Sequence, residues 1–270
     1  MTGAHLVVTQ QFRNQRIATA QLEPRAAIGL YEGDDRVALF AGCQGVHRVR
    51  AVLAGSLKLP PDRVRVICPD TGGGFGSRSN PHPEQVIVAW AARKLRRAVK
   101  WTGDRSEGFL TDYAGRDLIT KARLALDRGG RIRALALELI GNVGAQTVSY
   151  VWLSNAYRIA PTVYHVPAAL IDVRGVMTNT VPTAAFRGAG RPEATLVMER
   201  LLDIAARRLG IDRTTIRRRN LIRRAQLPYR SATGLTYDSG DFVGNMDRLL
   251  AAADWDGVKL RRKEAKRRGK

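Results

Sequence analysis

The sequence predicts an α+β fold with mixed sheets and helices packed on them. Three observations carry that expectation. Leu118, Thr120, Ala122, Leu124 and Leu126 alternate with polar or small residues, the period of a half-buried strand. Asp127-Arg128-Gly129-Gly130 is a turn that returns the chain to a partner strand over Arg131–Ile140. Ala194, Val197, Leu201, Ala205 and Leu209 form an apolar stripe at helical spacing, closed by Gly210. Hairpins and helices in mixed order point to α+β rather than to strict βα alternation.

The remaining elements follow in chain order. Leu6–Thr9 is an extended run, and Ala26–Tyr31 reads as a strand. Glu32–Asp35 is a turn, and Arg36–Ala41 returns as a second strand. Val46–Leu57 has helical spacing and ends near Pro60-Pro61. Val64–Cys68 is a strand that enters a glycine-rich turn. Beyond it Glu84–Leu95 is apolar almost all round, which predicts a helix buried on most faces, and Pro83 suits its first turn. A second unit begins near Val99. The span 141–167 reads as irregular, Ala169–Thr178 as a strand, Asp241–Asp254 as a helix, and the basic run to Lys270 as another.

Composition bounds the function classes. The chain has 270 residues, enough for one large domain or two smaller ones, and 44% hydrophobic content excludes bulk disorder. No apolar run is long enough to span a membrane, and no basic-then-apolar leader opens the chain. The cytoplasm is the default compartment. Cys43 and Cys68 have no CxxC spacing, so a disulfide framework or structural zinc site is not expected. The net charge of +21 is concentrated in Arg213–Arg224 and Lys259–Lys270. Those runs lack interleaved aromatics and match no nucleic-acid module, so they read as solvated faces or surfaces for an acidic partner.

Two stretches carry the chemistry. The first is Asp70-Thr71-Gly72-Gly73-Gly74-Phe75-Gly76-Ser77-Arg78. Its glycines mark a tight turn with bare amides, suited to oxyanions or phosphates, or else an ordinary connector. The second is Ala185-Phe186-Arg187-Gly188-Ala189-Gly190-Arg191-Pro192-Glu193, which opens a helix. Arg187 there can clamp an oxo group bidentately or pair with a carboxylate such as Glu193. Gln44, beside Cys43 and Gly45, is either a turn residue or an amide donor facing the same cavity. The dinucleotide fingerprint fails, because Ser77 stands where its last glycine is needed. No phosphate-binding P-loop, HExxH pair or nucleophile elbow is present. His47, His82 and His165 are scattered, so no metal held directly by side chains is expected.

These pieces, in this order, resemble the molybdenum-binding large subunit of the xanthine dehydrogenase, aldehyde oxidase and aerobic carbon monoxide dehydrogenase superfamily. Further matching stretches are Leu22-Glu23-Pro24-Arg25, Tyr113-Ala114-Gly115-Arg116-Asp117, Arg219-Asn220-Leu221-Ile222 and Tyr237-Asp238-Ser239-Gly240. The resemblance implies that fold, with two subdomains, and a molybdenum–molybdopterin cofactor in its cytosine dinucleotide form. By motif position Gln44 looks like the amide that bonds an oxo ligand. Gly74, Phe75 and Gly76 look like the loop near the metal, and Phe186, Arg187 and Gly188 like the loop opposite. Ser79 and Ala189 look like substrate-pocket positions. The implied reaction is hydroxylation with water as the oxygen source, with FAD and [2Fe-2S] carried only by a flavin-binding and an iron–sulfur partner subunit; two cysteines are too few for a cluster.

Departures narrow the substrate. Carbon monoxide-oxidising members carry Cys-Ser-Phe-Arg in the second loop, and purine-oxidising members carry a glutamate and an aromatic where this chain has Ser79 and Ala189. An aldehyde or an N-heterocycle is therefore expected. The resemblance also implies a further C-terminal molybdopterin-binding segment with the general-base glutamate, so no catalytic residue is assigned in this chain. The expected division is a first cofactor-binding domain over 1–240, with subdomains of about 1–98 and 99–240, and a basic helical connector over 241–270. A fragment of this kind is expected to be inactive alone. A non-catalytic remnant or interaction module of the same fold is the alternative, and a basic nucleic-acid binder is a weaker one.

Overall fold

The computed structural model describes residues 3–270. Two four-stranded mixed sheets organise them, each with one parallel pair. In chain order, β1 (Leu6–Asn14) leads to the hairpin of β2 (Ala26–Tyr31) and β3 (Val37–Ala41). Helix α1 (Val46–Leu57) crosses over to β4 (Val64–Ile67), which pairs parallel with β3. Helix α2 (Pro83–Leu95) and β5 (Val99–Thr102) follow, and this sheet has the order β4-β3-β2-β5. Parallel neighbours need a crossover, so the helical spacing of 46–57 and the parallel pairing are one fact. Val37, Leu39, Val49 and Leu53 are buried between sheet and helices.

After α3 (Arg105–Thr111) come β6 (Leu118–Leu126) and β7 (Ile132–Gly144), an antiparallel hairpin. Helix α4 (Val151–Arg158) then returns the chain to β8 (Ala169–Met177), parallel to β7. This sheet has the order β1-β6-β7-β8. Helix α5 (Arg191–Leu209) buries Val197, Met198, Leu201 and Leu202 in one core with Leu124, Leu135 and Trp152. Helix α6 (Arg213–Asn220), a short β9–β10 hairpin (Tyr229–Arg230 and Thr236–Tyr237), α7 (Phe242–Ala252) and α8 (Val258–Arg267) complete the described chain.

The α+β architecture and nearly all long elements agree with the sequence. The differences have physical causes. Strand β1 pairs with β6 and β5 with β2, so the sheets exchange strands across the boundary expected at 98/99. Helix α4 lies inside the span read as irregular, and α3 and α6 were not anticipated. All three are too short for a periodic stripe to stand out, although two carry visible caps. Asp104 accepts from Glu107 N at 2.7 Å, and Asp212 accepts from Thr214 N at 2.9 Å. Helix α2 is not buried all round: only the stripe Gln85, Val88, Ala89 and Ala92 is covered, while Ile87, Trp90 and Leu95 are 59%, 55% and 62% exposed.

Helix α2 lies unusually close to β2 because position 29 is glycine. A Cβ there would sit 2.4 Å from the Val88 carbonyl oxygen and 2.9 Å from Ala89 Cα. Gly29→Ala is expected to destabilise the fold by about 1–3 kcal/mol in urea unfolding, because backbone must shift to admit one methyl. A Cβ on Gly55 in α1 would meet nothing within 4 Å beyond the helix's own backbone among the described residues, and Gly55→Ala is expected to stabilise by about 0.4–1 kcal/mol.

Candidate functional site

Parallel strands leave a sheet at the same edge. The chain therefore delivers Cys43-Gln44-Gly45, after β3, to the place where β4 delivers the glycine turn. Gln44 Oε1 accepts from Gly76 N at 2.6 Å, and Gln44 N donates to the Arg78 carbonyl at 3.0 Å. Only the carboxamide oxygen can accept from an amide N–H, so Gly76 fixes the orientation of the Gln44 side chain. Its NH2 group is left as a donor with no acceptor among the described residues. A Cβ at Gly74 would fall 2.4 Å from Gln44 Cδ, so the contact requires glycine. Gly73, Phe75 and Gly76 all have positive φ (105°, 51° and 99°). For Phe75 that conformation costs about 1–2 kcal/mol and must be held by its surroundings.

The N-terminal segment holds the turn in place. The Glu23 carboxylate accepts from Gly72 N at 2.8 Å and from Arg78 Nη1 at 2.7 Å. Burial works against its charge, but Arg78 and the Gly72 amide outweigh burial and keep its carboxyl below the ordinary range. Gln21 Nε2 donates to Ser77 Oγ, and Arg105 donates to the Gln21 and Leu22 carbonyls at 2.7 Å each. Arg25 is buried and ion-paired with Glu84 and Asp112. Leu22-Glu23-Pro24-Arg25 is thus scaffolding for the glycine turn.

The second loop docks on the first. Arg187 N donates to the Phe75 carbonyl at 2.8 Å, and a Cβ on Gly76 would come within 2.5 Å of the Ala185 carbonyl. Gly190, at φ 87°, touches α4 so closely that a Cβ would lie 2.0 Å from Trp152 O. Arg116 is the clamp. Its Nη1 donates to both Glu193 oxygens at 3.1 Å and to Phe186 O at 3.2 Å, and its Nη2 donates to Arg187 O at 2.7 Å. Its guanidinium also lies 4.9 Å from the Phe186 ring centroid. Glu193 therefore pairs with Arg116 rather than Arg187. The Arg187 guanidinium is exposed and has neither ion-pair nor hydrogen-bond partner among the described residues.

The structure thus brings together Gln44, Gly74, Phe75, Gly76, Phe186, Arg187 and Gly188. Ala189 sits in the second loop at φ 42°. Ser79 N donates to Gly76 O at 3.1 Å, and no hydrogen bond among the described residues links Ser79 to the second loop. Sequence reasoning placed Arg116 in a motif without a role; its spacing carries no signal for a partner 77 positions away. A cavity of about 600 Å³ lies elsewhere, against α5, α6 and α7, lined by Tyr164, Phe242, Met246, Leu249 and Trp255. There Arg217 pairs with both Glu199 and Asp203, at 2.6 and 2.9 Å.

The donor set at the loops decides what they could hold. The Gln44 NH2, the Arg187 guanidinium and the amides of Gly74, Phe75 and Gly188 have no protein acceptor among the described residues. Those residues also contain no group of three His, Cys, Asp or Glu side chains able to hold a metal. Donors without ligands fit a metal carried by an organic cofactor that presents oxygen atoms to the protein.

Two docked loops of hydrogen-bond donors stand on an α+β scaffold. The chain belongs to the molybdopterin cofactor-binding domain family, which residues 1–221 match. It is 33% identical to the nicotine 6-hydroxylase large subunit of Paenarthrobacter nicotinovorans over 100% of this chain and 34% of that protein. It is 32% identical to the carbon monoxide dehydrogenase large chain of Hydrogenophaga pseudoflava, over 94% of this chain and 32% of that one. Among solved structures, quinoline 2-oxidoreductase from Pseudomonas putida 86 superposes with a TM-score of 0.94 at 31% identity, over 99% of this chain and 35% of that one. The chain spans about a third of the length of these relatives. No helix among the described residues is long and apolar enough to cross a membrane.

Glu193 is 1% exposed, and Arg116 is the cation that compensates its charge. Arg116→Ala is expected to destabilise the chain by about 3–5 kcal/mol in urea unfolding, because it strands a buried carboxylate. Combining Arg116→Met with Glu193→Leu should recover most of that loss.

Proposed function

We propose that this chain lines one side of the molybdenum pocket in a molybdenum hydroxylase that oxidises an N-heterocycle or an aldehyde. The observation that carries the reading is the hydrogen bond from Gly76 N to Gln44 Oε1 at 2.6 Å. It leaves the Gln44 NH2 as a fixed donor beside a second loop whose arginine is unpaired among the described residues. When bound, the molybdenum–pterin group supplies a two-electron oxidation with water as the oxygen source. Gln44 would donate to an oxygen of the group. The Gly74 and Phe75 amides and the Phe75 ring shape its approach. Arg187, positioned by its backbone bond to Phe75, offers a charged planar donor from the second loop. Ser79 and Ala189 border the space left for substrate.

The names of two relatives, nicotine 6-hydroxylase and quinoline 2-oxidoreductase, support a nitrogen heterocycle, beside a carbon monoxide dehydrogenase of similar identity. The lack of a Cys-Ser-Phe-Arg run in the second loop is what argues against carbon monoxide. In this reading residues 1–240 form the first cofactor-binding domain and 241–270 connect it to a C-terminal molybdopterin-binding segment that supplies the general base. The cofactor is the cytosine dinucleotide form. Electrons leave through iron–sulfur and flavin-binding partner subunits, in the cytoplasm. The chain alone is inactive. Relatives named as a large subunit and as the gamma subunit of a dehydrogenase complex support assembly with partners.

The test is co-expression of this chain with the C-terminal segment and both partner subunits in a host that makes the cofactor. Molybdenum and pterin are expected to co-purify with the assembly and not with the isolated chain. Gln44→Ala and Arg187→Ala should each lower heterocycle turnover about 10–100-fold, the scale of lost outer-shell contacts. An assembly without molybdenum, unchanged turnover in both variants, or full turnover by the 270-residue chain alone would overturn the proposal.

A further inference from the structure

The two cysteines are unused by the loop contacts described above, yet the fold sets them against each other. Cys43 follows β3 and Cys68 follows β4, at the shared edge of the first sheet. The Cys68 sulfur lies 3.3 Å from both Cys43 N, from which it accepts, and Cys43 O, to which it can donate. The Thr71 hydroxyl is 3.2 Å away on its other side. Cys43 is 8% exposed, while Cys68 is half-buried and reachable from solvent.

The two thiols are also chemically unequal. Burial opposes the Cys68 thiolate, but the Thr71 hydroxyl and the Cys43 amide outweigh it and hold this thiol below its ordinary value. Burial, then the charge of the Cys68 sulfur, pushes the Cys43 thiol up.

We propose that Cys43 and Cys68 are a peroxide-oxidised pair that closes to an intramolecular disulfide. The Cys68 sulfur attacks one oxygen of hydrogen peroxide; the O–O bond breaks, water leaves and Cys68 becomes a sulfenic acid. The Cys43 sulfur then attacks Cys68 Sγ, the S–O bond breaks, and a second water leaves with the Cys43 proton. Two thiols and one peroxide give one disulfide and two waters. The bond would join the exits of β3 and β4 immediately before Gln44 and close to the glycine turn, tethering the two halves of the first loop contact. The inference does not rest on the cofactor reading.

The chain has two cysteines, so any intramolecular disulfide joins these positions. The folded chain is treated with one equivalent of hydrogen peroxide, alkylated in denaturant and mapped by non-reducing peptide mass spectrometry. The expected result is one cross-linked peptide lighter by two hydrogens, both thiols lost together, and reversal by dithiothreitol. Cross-linking in the guanidinium-unfolded chain should be at least about tenfold slower, because the fold supplies the proximity. In Cys43→Ser, Cys68 should stop at the sulfenic acid with one equivalent and proceed to sulfinic acid when a second is added; in Cys68→Ser, Cys43 should stay reduced at one equivalent. Thiols lost singly without the cross-link, links only between chains, no reaction, or no rate advantage over the unfolded chain would overturn the proposal.

Discussion

The parallel pairing of β3 with β4 is the constraint on which the site depends. An antiparallel pair would send the two exits to opposite edges of the sheet. Parallel pairing brings Gln44 to Gly76 across 32 residues of sequence, and the crossover helix α1 is what makes it possible. The second sheet repeats the device with β7, α4 and β8, whose exit begins the path to the Phe186–Arg187 loop. Each loop then denies the other any other conformation. Gly76 has no room for a side chain beside Ala185, and Arg187 N is spoken for by Phe75 O.

Arginine does the holding. Arg25, Arg78 and Arg116 are each largely buried, and each meets a carboxylate together with backbone carbonyls or a hydroxyl. A lysine could not serve, because one ammonium cannot reach a carboxylate and two carbonyls in fixed planar geometry. Part of the high arginine content is therefore internal structure. Arg217, inside the basic run at 213–224, likewise binds Glu199 and Asp203. Arg187 differs from these in having no carboxylate paired with it among the described residues, and that contrast supports giving it a ligand rather than a structural task.

Much of this was legible in the sequence, because the long elements are written in periodicity. The alternation of 118–126, the stripe from Ala194 to Leu209 and the spacing of 46–57 each became the element expected. The two loops were visible through their glycines and through the resemblance they carry. Partner choice was not visible. Glu193 looked available to Arg187, six residues away, but the fold places Arg116 over it instead. Exposure was misjudged for α2, since an apolar composition does not say which side meets the sheet; Gly29 decides that by letting Val88 and Ala89 approach. Sheet membership of β1 and β5 also depended on long-range pairing that local pattern does not encode.

The central claim is that Gly76 anchors the Gln44 carboxamide while neighbouring amides stay free for a ligand. Residue-resolved amide hydrogen exchange on the isolated chain tests it directly. The account predicts a protected Gly76 amide beside rapidly exchanging Gly74 and Phe75 amides, with the protection at Gly76 lost in Gln44→Ala. A Gly76 amide that exchanges as fast as Gly74 in the unaltered chain would contradict it.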